Sequence, residues 1–168
     1  MGVGELSARL GLPLMAAGQA GKEATHNEAL ALIDLAVGAT VEAVGAEEPP
    51  AAPAEGQAWV LGAYPRGAWT GRAHALAGWT AGGWRFVSAF DGLEVRTRPD
   101  GLPVRYMGGA WVAGELRARR VLVDGLPVLG ARGPAIPEPA SGATVDAEAR
   151  AALAAVLGAL RAHGLIAS

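Results

Sequence analysis

The sequence of 168 residues contains no cysteine. This absence excludes disulfide bonds, thiolate nucleophiles, thiol redox chemistry and zinc sites built on cysteine. Charged residues are also scarce, at 18%, below the roughly 25% of ordinary globular chains. The formal net charge is −2, with both signs scattered along the chain, and this pattern argues against a nucleic-acid partner.

Long apolar runs are missing as well. No stretch approaches the roughly 18 uninterrupted apolar residues that a membrane span needs, so no membrane insertion is expected. The first residues carry Glu5 and Arg9 and lack the order of a signal peptide, so export by that route is not expected. Alanine supplies much of the 51% hydrophobic content, and each buried position therefore removes little surface from water. We expect a core of small residues that depends on partner chains.

The first of two predicted helices lies within residues 22–41. Thr25 and Glu28 form a capping box there, and Gly38 suits the helix end. Leu30 and Leu35 lie off the predicted buried face, which indicates a second contact surface. Residues spaced by three and four positions predict that buried face: Ala29, Leu32, Ile33, Ala36 and Val37.

The second predicted helix follows Thr144, its expected N-cap, and ends at Gly164. With about five turns it is too short to be stable alone, so we expect it to mediate oligomerisation. The spacing of a short coiled-coil seam is shared by four residues: Ala149, Leu153, Val156 and Leu160. Together with Leu32 and Ile33 of the first helix, the last three are the candidates for packing between elements or between chains.

Between the helices, short apolar runs alternate with turn signals, which predicts strands. Two hairpins are expected, one around Asp100-Gly101 and one around Asp124-Gly125. The sequence therefore predicts an α+β fold with an N-terminal helix, a small antiparallel β-meander or sandwich rich in tryptophan, an extended proline-rich arm and a C-terminal packing helix. The predicted divisions are an N-terminal arm and helix (1–44), a proline-rich linker (45–56), an antiparallel β domain (57–130), an extended arm (131–143) and an oligomerisation helix (144–168).

Catalytic patterns are weak throughout. The three histidines, His26, His74 and His163, have structural interpretations, because none has the partners that a metal site requires. The Gly21-Lys22 step resembles a phosphate loop, but Glu23 stands where such a loop has Ser or Thr. We therefore predict no catalytic residue, no metal, no cofactor and no enzymatic activity.

The tryptophans offer two interpretations. All five lie in the strand-rich zone, where large rings fill a core of small residues. An aromatic face also suits the apolar side of a sugar ring, and glycine-rich turns leave such a face exposed. The glycan-contact candidates are Trp69, Trp79, Trp84 and Trp111.

Several segments carry a resemblance to a known family. The run RLGLPLMAAGQAGKEATHNEALALIDLAV, followed by GAWTGRAHALAGWTAGGWRFV and GGAWVAG, resembles an uncharacterised domain family of phage tail-fibre and head-spike proteins and of bacterial gene transfer agents. The resemblance spans residues 9–114. The C-terminal portion also looks like the end of such appendage proteins. At Gly21 the family commonly has glutamine.

The resemblance implies a structural role in a phage-like particle, as the base of a head spike or tail fibre that attaches to the host cell. It implies a homo-oligomer, first a trimer and alternatively a pentamer, with capsid or tail proteins and a spike or fibre as partners. Such a protein is made in the cytoplasm and assembled on the outside of the particle. The alternatives are a carbohydrate-binding module for cell-surface polysaccharide and a surface-glycan hydrolase, which the short length and the missing catalytic motifs disfavour.

Overall fold

The computed structural model describes residues 5–18, 20–138 and 146–167. The chain forms two compact units, 1–115 and 116–168. The boundary between them lies inside the range 57–130, which the sequence predicts as one β domain. Helices and small, mainly antiparallel sheets confirm the predicted α+β class.

The described residues contain two α-helices, a short 3₁₀ turn at Gly67–Trp69 and ten strands. The helices are α1 (Lys22–Ala36) and α2 (Ala147–Ala162). The strands are β1 (Thr40–Val41), β2 (Val44–Ala46), β3 (Ala58–Leu61), β4 (Leu76–Thr80), β5 (Gly83–Val87), β6 (Glu94–Thr97), β7 (Pro103–Met107), β8 (Ala110–Ala113), β9 (Val121–Val123) and β10 (Leu126–Leu129).

Unit 1–115 contains two four-stranded sheets with the orders β1-β6-β7-β8 and β2-β3-β4-β5. Each is an antiparallel meander extended at one edge by a short parallel strand, β1 on β6 and β2 on β3. The chain passes from one sheet to the other between Val41 and Val44. This crossing is held to β3, because Glu42 N–H donates to Ala58 C=O at 2.8 Å and Val60 N–H donates to Ala43 C=O at 3.0 Å.

The main core lies between the two sheets. Alternate residues of a strand point to opposite faces, and in β3 this sends Ala58 and Val60 into the shared core. The core is aliphatic and is made by residues of both sheets together with the end of α1: Leu35, Ala39, Val41, Ala58, Val60, Leu76, Leu93, Val95 and Val104. Two sheets that share such a core form a small sandwich.

Helix α1 packs on β4 at a glycine. A Cβ atom at Gly78 would lie 2.6 Å from Leu35 Cδ1 and 3.1 Å from Leu35 Cδ2. Leu35 is 4% exposed and has little room to move. The absence of a side chain at Gly78 therefore allows the helix to approach the sheet.

Substitution Gly78→Ala is expected to lower the free energy of unfolding by about 1–3 kcal/mol, because it overpacks the contact with Leu35. Urea unfolding followed by tryptophan fluorescence measures the effect. In a Leu35→Ala background the methyl group has space, and the penalty of Gly78→Ala is expected to disappear. An equal penalty in both backgrounds would contradict this contact.

The predicted buried face of α1 is wrong. Asp34 and Leu35 are the buried residues of this helix, whereas Ile33 is 49% and Val37 53% exposed. Leu32 is half-buried. The helix is rotated so that Leu35 reaches Gly78 and Asp34 reaches the N-terminal segment, and neither contact is visible in the helical period.

The predicted capping box is also wrong. Helix α1 begins at Lys22, three residues before Thr25, and its N-cap is Gly21 with φ of 80° and no side-chain cap hydrogen bond. Thr25 and Glu28 thus lie inside the helix. Glu28 instead pairs with Arg85 of β5 at 2.6 Å.

A loop of the N-terminal segment closes around Asp34. Its carboxylate accepts hydrogen bonds from Ser7 Oγ at 2.6 Å, from Arg9 N–H at 3.1 Å and from Leu10 N–H at 2.6 Å. Asp34 is 5% exposed. Hydrogen bonds to a charged acceptor are stronger than neutral ones, so this carboxylate fixes residues 7–10 on the helix.

The side chain of Arg9 also holds the N-terminal segment to α1. Its guanidinium donates to carbonyls at the end of α1, including those of Asp34, Leu35 at 3.2 Å and Gly38 at 2.8 Å. The last carbonyls of a helix lack internal partners and carry partial negative charge. Arg9 thus provides the positive charge at the C-terminal end of α1, whose last turn has no basic residue of its own.

The first predicted hairpin is confirmed as β6 and β7, with Val95 opposite Val104. Its turn contains Asp100, whose pKa is lowered by a hydrogen bond from the Thr97 hydroxyl and then by the Leu102 N–H. Both bonds favour the charged carboxylate.

Residues 45–56, predicted as a linker, lie inside unit 1–115. Arg66 N–H donates to Glu47 C=O at 2.7 Å, and the Arg66 guanidinium pairs with Glu48 at 3.0 Å. Gly56 N–H donates to Trp79 C=O at 2.9 Å. The segment is thus bonded at both ends to its own unit.

Unit 116–168 contains the second predicted hairpin, confirmed as β9 and β10, and helix α2. The N-cap of α2 is Asp146, whose carboxylate accepts from Ala149 N–H at 2.8 Å. The predicted cap, Thr144, lies outside the described residues, as does the end of the predicted arm 131–143. Gly133, in the described part of that arm, pairs with Ile166 as an isolated parallel bridge.

Candidate interaction surfaces

An aromatic cluster lies on the face of sheet β2-β3-β4-β5 opposite the shared core. Alternation along β3 and β4 directs Trp59 and Trp79 to this face, and the turn at 67–69 adds Trp69. We call this the tryptophan face: Trp59, Trp69, Trp79, Trp84 and Phe86. Its rings meet edge to face, with centroids 5.1 Å apart for Trp69 and Trp84 and 5.0 Å apart for Trp79 and Trp84.

The rings of this face differ in exposure. Trp69 is 0% exposed and Trp59 is 8% exposed, so both are core residues. Trp69 is therefore withdrawn as a glycan-contact candidate, because its ring has no face free for a sugar. Trp79 and Trp84 are half-buried neighbours on β4 and β5. These two rings remain available to a ligand.

A cationic group borders the same face. The Arg72 guanidinium lies 5.0 Å from the centroid of the Phe86 ring, a distance typical of cation–π contacts. Arg72 is exposed. The rim of the tryptophan face thus combines aromatic surface with hydrogen-bond donors.

Trp111 lies elsewhere, on β8. Its indole N–H donates to His74 C=O at 2.8 Å, and its ring packs against Tyr106 with centroids 5.4 Å apart. It is half-buried against the core between the sheets. The structure therefore brings together Trp69, Trp79 and Trp84 but not Trp111.

The second surface belongs to unit 116–168. The hairpin residues Leu122, Val123 and Leu126 are 45%, 54% and 70% exposed. The sequence analysis did not select these residues. The run VLVDGLPVLG nevertheless carries a signal of an apolar surface, since its strands do not alternate apolar with polar residues. A hairpin that is apolar on both faces has no face suited to water.

Helix α2 of the same unit also exposes apolar residues. Leu153 and Val156, two packing candidates, are 51% and 55% exposed, while Leu157 is buried. Leu160 is half-buried. The role of these residues and of Leu32 and Ile33 in contacts between chains stays a prediction.

A cleft of about 650 Å³ lies between the N-terminal segment, α1 and the β4–β5 turn. Glu5, Glu28, Glu55 and Arg85 contribute to its lining. Within the described ranges no group of three or more histidine or acidic side chains is placed to hold a metal ion. No helix in the described part of the chain has the length and hydropathy to cross a bilayer.

The comparisons with known proteins give one match. A family model described as "Protein of unknown function (DUF2793)" covers residues 26–112, just over half of the chain. This region begins inside α1, ends inside β8 and contains all the strands between them. Comparison with curated proteins and with solved structures found no match. The chain therefore belongs to this uncharacterised domain family, DUF2793.

Proposed function

We propose that the protein is a structural subunit of a phage-like particle, at the base of a head spike or tail fibre, and that it forms a homo-oligomer there. The observation that carries the proposal is the exposed apolar surface of unit 116–168. Among the residues that the structure describes, ten of the eighteen exposed large hydrophobic residues lie in this smaller unit. In its described part, Leu157 and Ile166 are the buried hydrophobic residues.

Such a unit has too little core to be stable by itself. A two-stranded hairpin is marginal in water, and a single helix of this length gains most of its stability from packing. Units below about 70 residues generally need an additional source of stability, such as oligomerisation. Neighbouring copies that cover Leu153, Val156 and the hairpin would supply it.

The sequence resemblance connects this assembling chain with a particle. By that resemblance its partners are capsid or tail proteins on one side and a spike or fibre protein on the other. A three-fold arrangement is the first choice, and a five-fold one suits a capsid vertex. The protein is made in the cytoplasm and joins the outside of the particle, where it takes part in attachment to the host cell.

The test uses particles released by the producing bacterium. A strain without the gene is complemented with the wild-type chain or with Leu153→Glu/Val156→Glu, and purified particles are examined by quantitative mass spectrometry. We expect the wild-type chain in fixed stoichiometry, and we expect the double variant to be lost, because charge on the apolar stripe of α2 blocks packing.

The matched control is Ala151→Glu/Ala155→Glu, at two exposed positions on the side of α2 away from Leu153 at 100° per residue. It introduces the same two charges and is expected to enter particles normally. Purified particles that lack the wild-type chain would refute the proposal.

The half-buried pair Trp79 and Trp84 favours a second candidate, binding of cell-surface polysaccharide. Rings of this kind stack on sugar faces, and Arg72, which lies over the Phe86 ring of the same face, can donate to hydroxyl groups. Titration with purified host polysaccharide is expected to change the tryptophan fluorescence, and Trp79→Ala is expected to abolish that change. No response of the wild-type chain would exclude this candidate.

A further inference from the structure

The hairpin of unit 116–168 has two open edges. Strands β9 and β10 pair with each other and with no other strand that the structure describes. Their turn residues Asp124 and Gly125 have φ of 50° and 79°, as a two-residue type I′ turn requires. Val123 and Leu126 face each other as the first pair after this turn.

Pro127 makes the two edges chemically different. Pairs in an antiparallel ladder alternate between those that exchange both backbone hydrogen bonds and those that do not. Pro127 lies opposite Leu122 and has no N–H, so this pair belongs to the second kind and its backbone groups point outward. The outer edge of β10 consequently offers a carbonyl without a donor at Pro127, whereas the outer edge of β9 offers both groups of Leu122.

We propose that the outer edge of β9 pairs antiparallel with β9 of a second copy, around a two-fold axis at Leu122. This inference rests on the proposed assembly function and names one of its contacts. Leu122 then faces Leu122 of the second copy, and the two residues exchange both backbone hydrogen bonds. The product is a four-stranded sheet with the order β10-β9-β9-β10.

The side chains of the edge are self-complementary in this register. Val121 faces Val123 of the second copy, and Arg120 lies beside Asp124 of the second copy, each contact occurring twice. Arg120 and Asp124 are exposed, and neither has an ion pair with any residue in the described ranges. Opposite charges in facing positions stabilise paired strands, so the edge fits a copy of itself.

A ring of copies fits the same edges less well. Closing a ring of three or more copies through strand pairing would join β9 of each copy to β10 of the next, because such a head-to-tail interface uses two different surfaces. Pro127 removes the central donor of that second surface. The edge therefore forms pairs of copies, in contrast to the three-fold arrangement that the resemblance implies.

Sedimentation equilibrium of the full chain tests this pairing by charge exchange. Arg120→Glu places two carboxylates together at each contact, and Asp124→Lys places two cations together. Each variant alone is expected to raise the dissociation constant of the pair about tenfold. In an equimolar mixture, a pair made of one copy of each variant has one Arg–Asp contact and one Glu–Lys contact. The mixture is therefore expected to associate as the wild type does. A folding defect in either variant would prevent this recovery.

Leu122→Pro gives an independent test. It removes the outward N–H and none of the hydrogen bonds within the hairpin, so circular dichroism should be unchanged while association weakens. A trimeric wild-type chain, or association that resists all three substitutions, would overturn the edge pairing and leave the proposed particle function standing. Absence of the chain from purified particles, with pairing intact, would refute the particle function alone.

Discussion

Substitution Asp34→Ala is expected to lower the free energy of unfolding of unit 1–115 by about 3 kcal/mol, since buried donors left without an acceptor are costly. The variant removes the acceptor of Ser7 Oγ and of the Arg9 and Leu10 N–H groups. It also releases the N-terminal loop from α1. Urea unfolding followed by tryptophan fluorescence measures this loss specifically, because all five tryptophans lie in unit 1–115.

Two controls show whether the loop is the cause. Glu55→Ala removes an exposed carboxylate nearby and is expected to change the free energy of unfolding little. Asp34→Asn keeps one acceptor oxygen and is expected to fall between the wild type and Asp34→Ala. A wild-type free energy of unfolding for Asp34→Ala would contradict the anchoring role.

Substitution Trp69→Ala is expected to lower the free energy of unfolding by about 3–5 kcal/mol, the usual cost of removing a large buried ring. Trp69 is 0% exposed, and its centroid lies 6.1 Å from that of Trp59 and 5.1 Å from that of Trp84. The cavity would lie at the centre of the tryptophan face. Urea unfolding followed by circular dichroism measures the effect independently of the lost fluorophore.

Two further variants separate packing from polar effects. Trp69→Phe is expected to cost much less than Trp69→Ala, because the indole N–H has no acceptor among the described residues and its loss is inexpensive. Trp79→Ala removes the same ring at a half-buried position and is expected to be milder. Equal losses for Trp69→Ala and Trp79→Ala would show that burial does not determine the energetics of this face.

Turn residues in the sequence predicted the hairpins, because the conformation of a short turn depends on its own residues. Asp124-Gly125 between two apolar runs determines its hairpin, because both residues accept the positive φ that the turn demands. The same reasoning located β6 and β7 around Asp100-Gly101. The α+β class followed from such turns and from the two helical periods.

Contacts between distant segments were not predictable in this way. The orientation of α1 is determined by Gly78, which lies more than 40 positions from Leu35 along the chain, and by a loop that precedes the helix. Asp34 carried one available signal, a lone carboxylate in the apolar run ALALIDLAV. A buried carboxylate requires donors, and Arg9 and its neighbours supply them.

The glycan candidates show the same limit. The sequence places all five tryptophans in one zone. Strand alternation and the turn at 67–69 determine which of the rings are buried. Trp69 is fully buried, while Trp79 and Trp84 are half-buried. Burial of this kind depends on contacts between separate strands and turns, which the spacing of residues along the chain does not determine.

The native mass of the full chain tests the central claim most directly. Light scattering on a size-exclusion column, over a range of concentrations, is expected to give a multiple of 16.9 kDa, because unit 116–168 exposes apolar surface that the proposed assembly would cover. A single species of 16.9 kDa at every concentration would contradict self-assembly of the chain.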